Sequence, residues 1–190
     1  MKRIIAFFIL MVMSIFSTTT LFAQDNRWHP VADNPFNEVP NIKIASPIVQ
    51  GQDYTLFGLC VVTTPNIEGV FLDVYTTSHT FRTIMDYEWL VKTIVAFKIN
   101  NKWSLDTLYI SNINCRFESG DMDGIYLSQH SFYTPYSDVF LNHLKSASEI
   151  HIRSVWYDDT YFDYPTFSAS GSATSVNWLI NEKNRLKEPQ

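Results

Sequence analysis

Apolar residues from residue 53 onward occur in short runs separated by turn-forming residues. Residues 54–63 are rich in β-branched and aromatic side chains and apolar on both faces, which is typical of a strand in a β-rich core. Residues 149–157 alternate between apolar and polar positions, which predicts a strand with one buried face. The same reasoning predicts strands at 70–76, 93–99, 102–110, 113–118, 125–132 and 161–168.

The connections favour antiparallel strands with two helices between them. Asn100 and Asn101 separate two of the strands, and asparagine tolerates the positive φ angle that a tight hairpin turn needs. One helical pattern follows Pro135 and ends near residue 148, and another follows Gly171 and ends near residue 187. We expect an α+β domain, mainly antiparallel β, with a sandwich-like sheet of about seven to eight strands and two short packed helices.

Residues 24–52 differ from the rest of the chain because proline recurs there. Proline lacks a backbone N–H, so each one interrupts a helix interior or a central strand. We expect an extended N-terminal arm over 24–52, with one edge strand near 42–44, and a single β-rich domain over 53–190. The prolines of the arm are Pro30, Pro35, Pro40 and Pro47.

Residues 1–23 have the order of zones that a secretory signal peptide shows. Lys2 and Arg3 place positive charge at the start, a short apolar run follows, and Ala23 is small enough for cleavage. The apolar run is shorter than the roughly 20 residues that a membrane-spanning helix needs. We expect cleavage near Ala23, no membrane insertion of the mature chain, and a periplasmic or secreted bacterial protein. An uncleaved N-terminal anchor is the alternative.

The net charge of the chain limits the classes of partner that we expect. Cleavage would remove two basic residues and no acidic one, so the formal net charge would change from −5 to −7. An acidic protein has little attraction for phosphate backbones or anionic lipids, so nucleic acid is not expected as a partner. The remaining chain is long enough to form one domain with its own core.

The chain has two cysteines, Cys60 and Cys115, and both fall in strand-like segments. In an oxidising compartment they predict a disulfide, which would stabilise the fold by roughly 4 kcal/mol in the chain-entropy account. The alternative is two separate buried thiols that behave as small hydrophobic residues.

Segment 157–164 is the most distinctive candidate surface, because three carboxylates are interleaved with four aromatic rings. Tyrosine anchors are frequent in protein interfaces, and aromatic rings beside carboxylates also suit sugars. Trp89, which follows a polar stretch, is a second candidate. The alternative is a solvated acidic turn whose aromatic residues belong to the core below. The candidate binding residues are Tyr157, Asp158, Asp159, Tyr161 and Asp163.

Short catalytic and cofactor motifs are missing from the sequence. It contains no Gly-x-Ser-x-Gly elbow, no His-Glu-x-x-His pair and no glycine-rich phosphate loop, so we expect no cofactor and no metal. Glycan hydrolysis needs only two carboxylates that the fold places correctly, so enzymatic activity stays open.

Five features follow one another over residues 93–182, about half of the chain. They are Ala96-Phe97-Lys98-Ile99 before Trp103, Gly124-Ile125-Tyr126-Leu127, Phe140-Leu141-x-x-Leu144, Ile150-His151-Ile152-Arg153, and Pro165-Thr166-Phe167-Ser168-Ala169-Ser170-Gly171-Ser172 before a helix. This order resembles small exported Gram-negative proteins of the invasion-associated-locus-B type and related type VI secretion accessory proteins. The resemblance implies an exported, envelope-associated β-rich domain, and it carries over no active-site residue.

These features together predict an exported, non-enzymatic interaction module that binds an envelope or secreted protein. One alternative is a carbohydrate-binding or glycan-hydrolysing envelope protein. Another is an immunity-like inhibitor of a periplasmic toxin, because an acidic protein suits a basic partner.

Overall fold

A computed structural model of the chain describes residues 26–31, 40–51, 55–78, 90–110 and 126–187. These residues form one β-sheet and two helices. The strands are β1 (His29–Val31), β2 (Ile42–Ala45), β3 (Val49–Gln50), β4 (Leu56–Thr63), β5 (Val70–Ser78), β6 (Leu90–Ile99), β7 (Lys102–Ile110), β8 (Tyr126–Thr134), β9 (Glu149–Trp156), β10 (Tyr161–Asp163) and β11 (Phe167–Ser168). The helices are α1 (Ser137–Ser146) and α2 (Ser172–Lys187).

The strands follow the order β1-β2-β4-β5-β8-β7-β6-β9-β10, with β3 beside β4 and β11 beside β9. Every strand pair in the described ranges is antiparallel, so the predicted α+β class with mostly antiparallel β is confirmed. The strand count differs from the predicted seven to eight, because there are eleven in one open sheet. Three of them precede residue 53, and the strand expected at 161–168 is divided around Pro165, which cannot donate a ladder hydrogen bond.

The sheet curls strongly, so a single sheet encloses the core. In the predicted sandwich, two packed sheets would enclose it. Strands β4 and β10 are six positions apart in the order, so a flat sheet would separate them by about 29 Å. The ring centroids of Phe57 in β4 and Phe162 in β10 are nevertheless 6.1 Å apart. The concave side, called the inner face below, carries the main core; the convex side is called the outer face.

Both helices pack on the inner face through large buried side chains. Phe97 of β6 is fully buried and meets Phe140 of α1 edge-on, with ring centroids 5.4 Å apart. Val176 and Leu179 of α2 join the same core. Full burial of side chains of this size stabilises the fold by about 1.5–3 kcal/mol each.

The helix boundaries agree closely with the sequence pattern. The first helix ends at Ser146, near the expected residue 148, and the second runs from Ser172 to Lys187. Gly171 has a φ of +80°, a conformation that side-chain-bearing residues rarely adopt, and it opens the turn into α2. The Ser172 hydroxyl donates to the carbonyl of Leu144 at 2.8 Å and ties the two helices together.

The Asn100-Asn101 hairpin is confirmed. The φ angles are 51° and 61°, which match a two-residue turn with both central residues in the left-handed region. β6 and β7 consequently pair from Ile99↔Lys102 along most of their length.

The N-terminal segment is integrated into the sheet. The strand expected near 42–44 is present as β2, with β1 outside it. Trp28 is buried, and its indole N–H donates to the carbonyl of Ser168 at 2.9 Å.

Four predictions fall on residues outside the described ranges: the signal peptide over 1–23, the candidate Trp89, the strand at 113–118, and Cys115. Neither described helix has the length and apolar content that a membrane span requires.

Candidate binding face

The outer face of four strands brings a set of exposed side chains into register. Tyr161 of β10 pairs with Val155 of β9, Val155 lies opposite Lys92 of β6, and Lys92 lies opposite Tyr109 of β7. Because side chains alternate along a strand, every second residue joins this surface. The outer patch is defined as the outer-face side chains of these strands: Trp103, Leu105, Thr107, Tyr109, Lys92, Ile94, Ala96, Lys98, Glu149, His151, Arg153, Val155, Tyr161 and Asp163.

Several large apolar members of the outer patch are exposed. Leu105 is 65% exposed, Tyr109 and Tyr161 are each 59% exposed, and Trp103 is 48% exposed. Single exposed apolar residues are ordinary, but several large ones on the same sheet face are typical of a binding surface.

An ion pair fixes the Tyr161 end of the patch. The Arg153 guanidinium donates two hydrogen bonds to Asp163, at 2.6 and 2.8 Å, and lies 4.0 Å from the ring centroid of Tyr161. The hydrogen bonds from Arg153 lower the pKa of Asp163, and they raise the pKa of Arg153. The Arg153–Asp163 pair therefore packs against the Tyr161 ring.

A second polar network supports Trp103 at the opposite end. The His151 ring meets the indole edge-on at 4.7 Å, and Lys98 Nζ lies 5.7 Å from the indole centroid. Glu149 accepts hydrogen bonds from His151 at 2.6 Å and from Lys98 at 3.0 Å. These hydrogen bonds lower the pKa of Glu149.

The patch therefore has an apolar centre between two polar ends. Ile94, Ala96 and Leu105 lie between the Arg153–Asp163 pair and the Glu149 network. An apolar centre with a polar rim is the usual arrangement of a protein interface.

The structure separates the residues that sequence predicted as one surface. Tyr161 and Asp163 belong to the outer patch, whereas Tyr157, Asp158 and Asp159 lie in the turn between β9 and β10 at its margin.

The turn has a structural role of its own. Asp158 accepts hydrogen bonds from the Thr160 hydroxyl at 2.6 Å and the Thr160 backbone at 3.0 Å, which lower the pKa of Asp158. Asp159 adopts a φ of 63°, and Tyr157 is 77% exposed. Tyr164, the last aromatic of the segment, is buried in the core against Phe57.

Sequence reasoning missed Trp103, Leu105 and Tyr109. Alternation along β7 places these three apolar residues on one side, which on its own would favour their burial. The structure buries Leu108 from the opposite side of the strand instead. The sequence of β7 carries no signal of this exposure, because the polar residues Ser104 and Asp106 lie with Leu108 on the inner face.

A buried polar cluster occupies another part of the outer face, on β5 and β8. Asp73 is buried and accepts hydrogen bonds from Ser131 at 2.5 Å and from Gln129 at 2.9 Å. Burial raises the pKa of Asp73 despite these donors. The cluster is satisfied internally and does not open onto the outer patch.

Cys60 of β4 lies opposite Asp73 in the strand register. Its thiol is buried and free, and burial raises its pKa, so it lacks the thiolate character of a reactive cysteine. This agrees with the alternative of a small hydrophobic residue. The predicted disulfide to Cys115 is therefore not present at Cys60.

The inner face offers no room for a ligand at its centre. The space among Trp28, Phe97, Phe140 and Ile152 does not accommodate a water molecule. Within the described part of the chain, no three His, Cys, Asp or Glu side chains converge to hold a metal ion.

The chain matches no protein-family model, no curated protein and no solved structure. The resemblance of residues 93–182 to exported proteins of the invasion-associated-locus-B type stays a prediction. Functional assignment therefore depends on the geometry of the outer patch.

Proposed function

We propose that this chain is an exported, non-enzymatic interaction module that binds an envelope or secreted protein through the outer patch. The observation that carries the proposal is a set of four exposed apolar residues, Trp103, Leu105, Tyr109 and Tyr161, that share one sheet face. The signal-like segment 1–23 supports the exported location.

The chemistry of the patch favours a protein over a sugar. Leu105 is the most exposed of its large apolar residues, and Ala96 lies opposite it; a sugar stacks on aromatic rings and gains little from aliphatic side chains. Tryptophan, tyrosine and arginine, all present here, are the residues that most often dominate protein–protein binding energy.

The pairing of charges also bears on the partner. Within the patch, the charges of Arg153 and Asp163 neutralise each other, and so do those of Lys98 and Glu149. A largely neutral, apolar centre attracts a partner by burial of apolar surface, and the paired charges at its ends supply orientation.

A pull-down with matched variants tests the proposal. The mature protein, residues 24–190, is immobilised and exposed to envelope extract without reductant. We expect one stoichiometric protein partner with the wild type. The triple substitution Trp103→Ala, Leu105→Ser and Tyr109→Ser should lose it, because it removes the exposed apolar centre.

Trp178→Ser is the matched control, since Trp178 is a 36% exposed aromatic residue on α2, away from the patch. The control should retain the partner. Retention by the triple variant would contradict the assignment of the patch. Capture of glycan fragments in place of a protein would favour the carbohydrate alternative.

A further inference from the structure

Strand β7 has an open backbone edge next to the outer patch. It pairs with β6 from Lys102 to Tyr109, but it pairs with β8 only at Tyr109 and Ile110. Among the described strands, residues 102–108 therefore have a partner on one side only. No side chain from 102 to 107 is fully buried, so an added strand would meet accessible side chains on both faces of the sheet.

The two outermost strands of the sheet, β1 and β10, are short and lie at prolines, in contrast to β7. β1 has three residues and contains Pro30, and β10 has three residues and is separated from β11 by Pro165. Short strands and prolines protect an edge from pairing with another chain. The β7 edge has neither protection over seven consecutive residues, so it can pair with a new strand.

Exposed side chains flank the β7 edge on both faces of the sheet. On the outer face they are Trp103 and Leu105. On the inner face, His143 of α1 contacts Asp106 of β7, with 2.9 Å between Nδ1 and Oδ2. Val139 lies one helical turn before His143 on the same side of α1 and is 50% exposed.

One end of the edge carries a basic residue. Lys102 begins β7 and is exposed. The amide of Ser148, just after α1, donates to the carbonyl of Lys98, which places the end of the helix beside the β6–β7 hairpin. Glu149 is already paired with Lys98 and His151, so Lys102 favours an acidic group on a partner.

We propose that the partner contributes an extended segment that adds as a strand to the β7 edge, antiparallel or parallel to residues 102–107. Its side chains would alternate between Leu105 on one face and Val139 on the other, with an acidic residue near Lys102. This inference rests on the proposed function and specifies its binding mode. Strand addition derives affinity from main-chain hydrogen bonds and specificity from alternate side chains.

The outer patch is small for a complete interface, which supports a second contact at the β7 edge. Four strands and six residues of β7 give a flat area of about 14 by 20 Å, well below the roughly 800 Å² that a standard interface buries on each partner. An added strand would extend the contact from the patch over the edge toward α1.

Backbone-modified peptides test the inference. Random short peptides displayed on phage are selected on the mature protein, and the enriched sequences are synthesised with and without N-methyl groups at alternate positions. N-methylation removes main-chain donors and leaves the side chains unchanged. We expect alternating apolar sequences with an acidic end, about tenfold weaker binding after methylation in one of the two registers, and amide NMR shifts confined to residues 102–107 and their neighbours.

A charge substitution supplies the protein-side control. Lys102→Glu should weaken the binding of the selected peptides about twofold to fivefold, as expected for an exposed charge pair, and Lys187→Glu at the end of α2 should leave binding unchanged. If both methylated registers bind as well as the parent peptide, or if the amide NMR shifts spare residues 102–107, strand addition would be overturned but the proposed function would stay intact. Failure to enrich any peptide would also overturn strand addition, whereas the pull-down tests the proposed function separately.

Discussion

The two faces of strands β6, β7 and β9 carry similar apolar side chains with opposite fates. On the inner face, Phe97 and Ile150 are almost completely buried beneath α1. On the outer face, Trp103 and Leu105 stay exposed although their strands are equally regular. Apolar character is thus shared by both faces, and the difference lies in what covers them: the helices cover the inner side, and we infer that a partner covers the outer side.

The largest expected effect is a core truncation on the inner face. Phe97→Ala should lower the free energy of unfolding by about 3–5 kcal/mol, because it removes contacts with Phe140 and leaves a cavity in a closely packed core. Urea unfolding followed by circular dichroism measures the change. A loss below about 1 kcal/mol would show that the inner face is not the stabilising core.

The second largest effect is a pH dependence of stability caused by His130, which lies on the inner face and is buried. Burial lowers its pKa from 6.5 to about 4, so the folded state prefers the neutral ring. Between these values the unfolded chain binds the proton more readily, and stability therefore falls as pH decreases from about 6.5 to about 4. The loss amounts to about 3 kcal/mol for this group.

Urea unfolding at several pH values measures the dependence on His130. His130→Phe should flatten the profile in this range, because phenylalanine does not titrate and fits beside Phe132, the ring that His130 stacks on. The change in the free energy of unfolding with pH is compared between the wild type and the variant, and the difference removes the contribution of the other titrating groups. An unchanged slope in the variant would mean that His130 titrates normally in the folded protein.

A smaller effect is expected at the hairpin that joins β6 and β7, where both faces meet. Asn100 and Asn101 have positive φ angles, and alanine is strained in that conformation. Asn101→Ala should lower the free energy of unfolding by about 1 kcal/mol, and Asn101→Gly should keep or slightly raise it. Equal stabilities of the alanine and glycine variants would contradict the turn geometry.

How far the sequence predicts this molecule depends on whether a feature is local. The hairpin at Asn100-Asn101 and the start of α2 after Gly171 depend on nearby residues and were predictable. Sheet curl depends on contacts between distant residues such as Phe57 and Phe162. A single eleven-stranded sheet over the described residues was therefore not predictable.

The candidate site shows the same division between local and distant information. The turn at Asp158 and the exposed Tyr161 were predicted from one continuous segment. Trp103, Leu105 and Tyr109 join them only through the pairing of β7, β6, β9 and β10. Alternation identifies which residues share a face, but it does not reveal whether that face is covered by the same chain.

The smallest expected change in stability separates the two faces most sharply. Leu105→Ser should alter the free energy of unfolding by no more than about 0.5 kcal/mol, because this side chain is 65% exposed and buries little area on folding. The same substitution should weaken partner binding by more than about 1 kcal/mol if Leu105 occupies the centre of the interface. Urea unfolding and a binding titration on one purified variant provide both values. A large loss of stability with unchanged binding would reverse the roles of the two faces, since the outer patch would then belong to the fold and not to a partner.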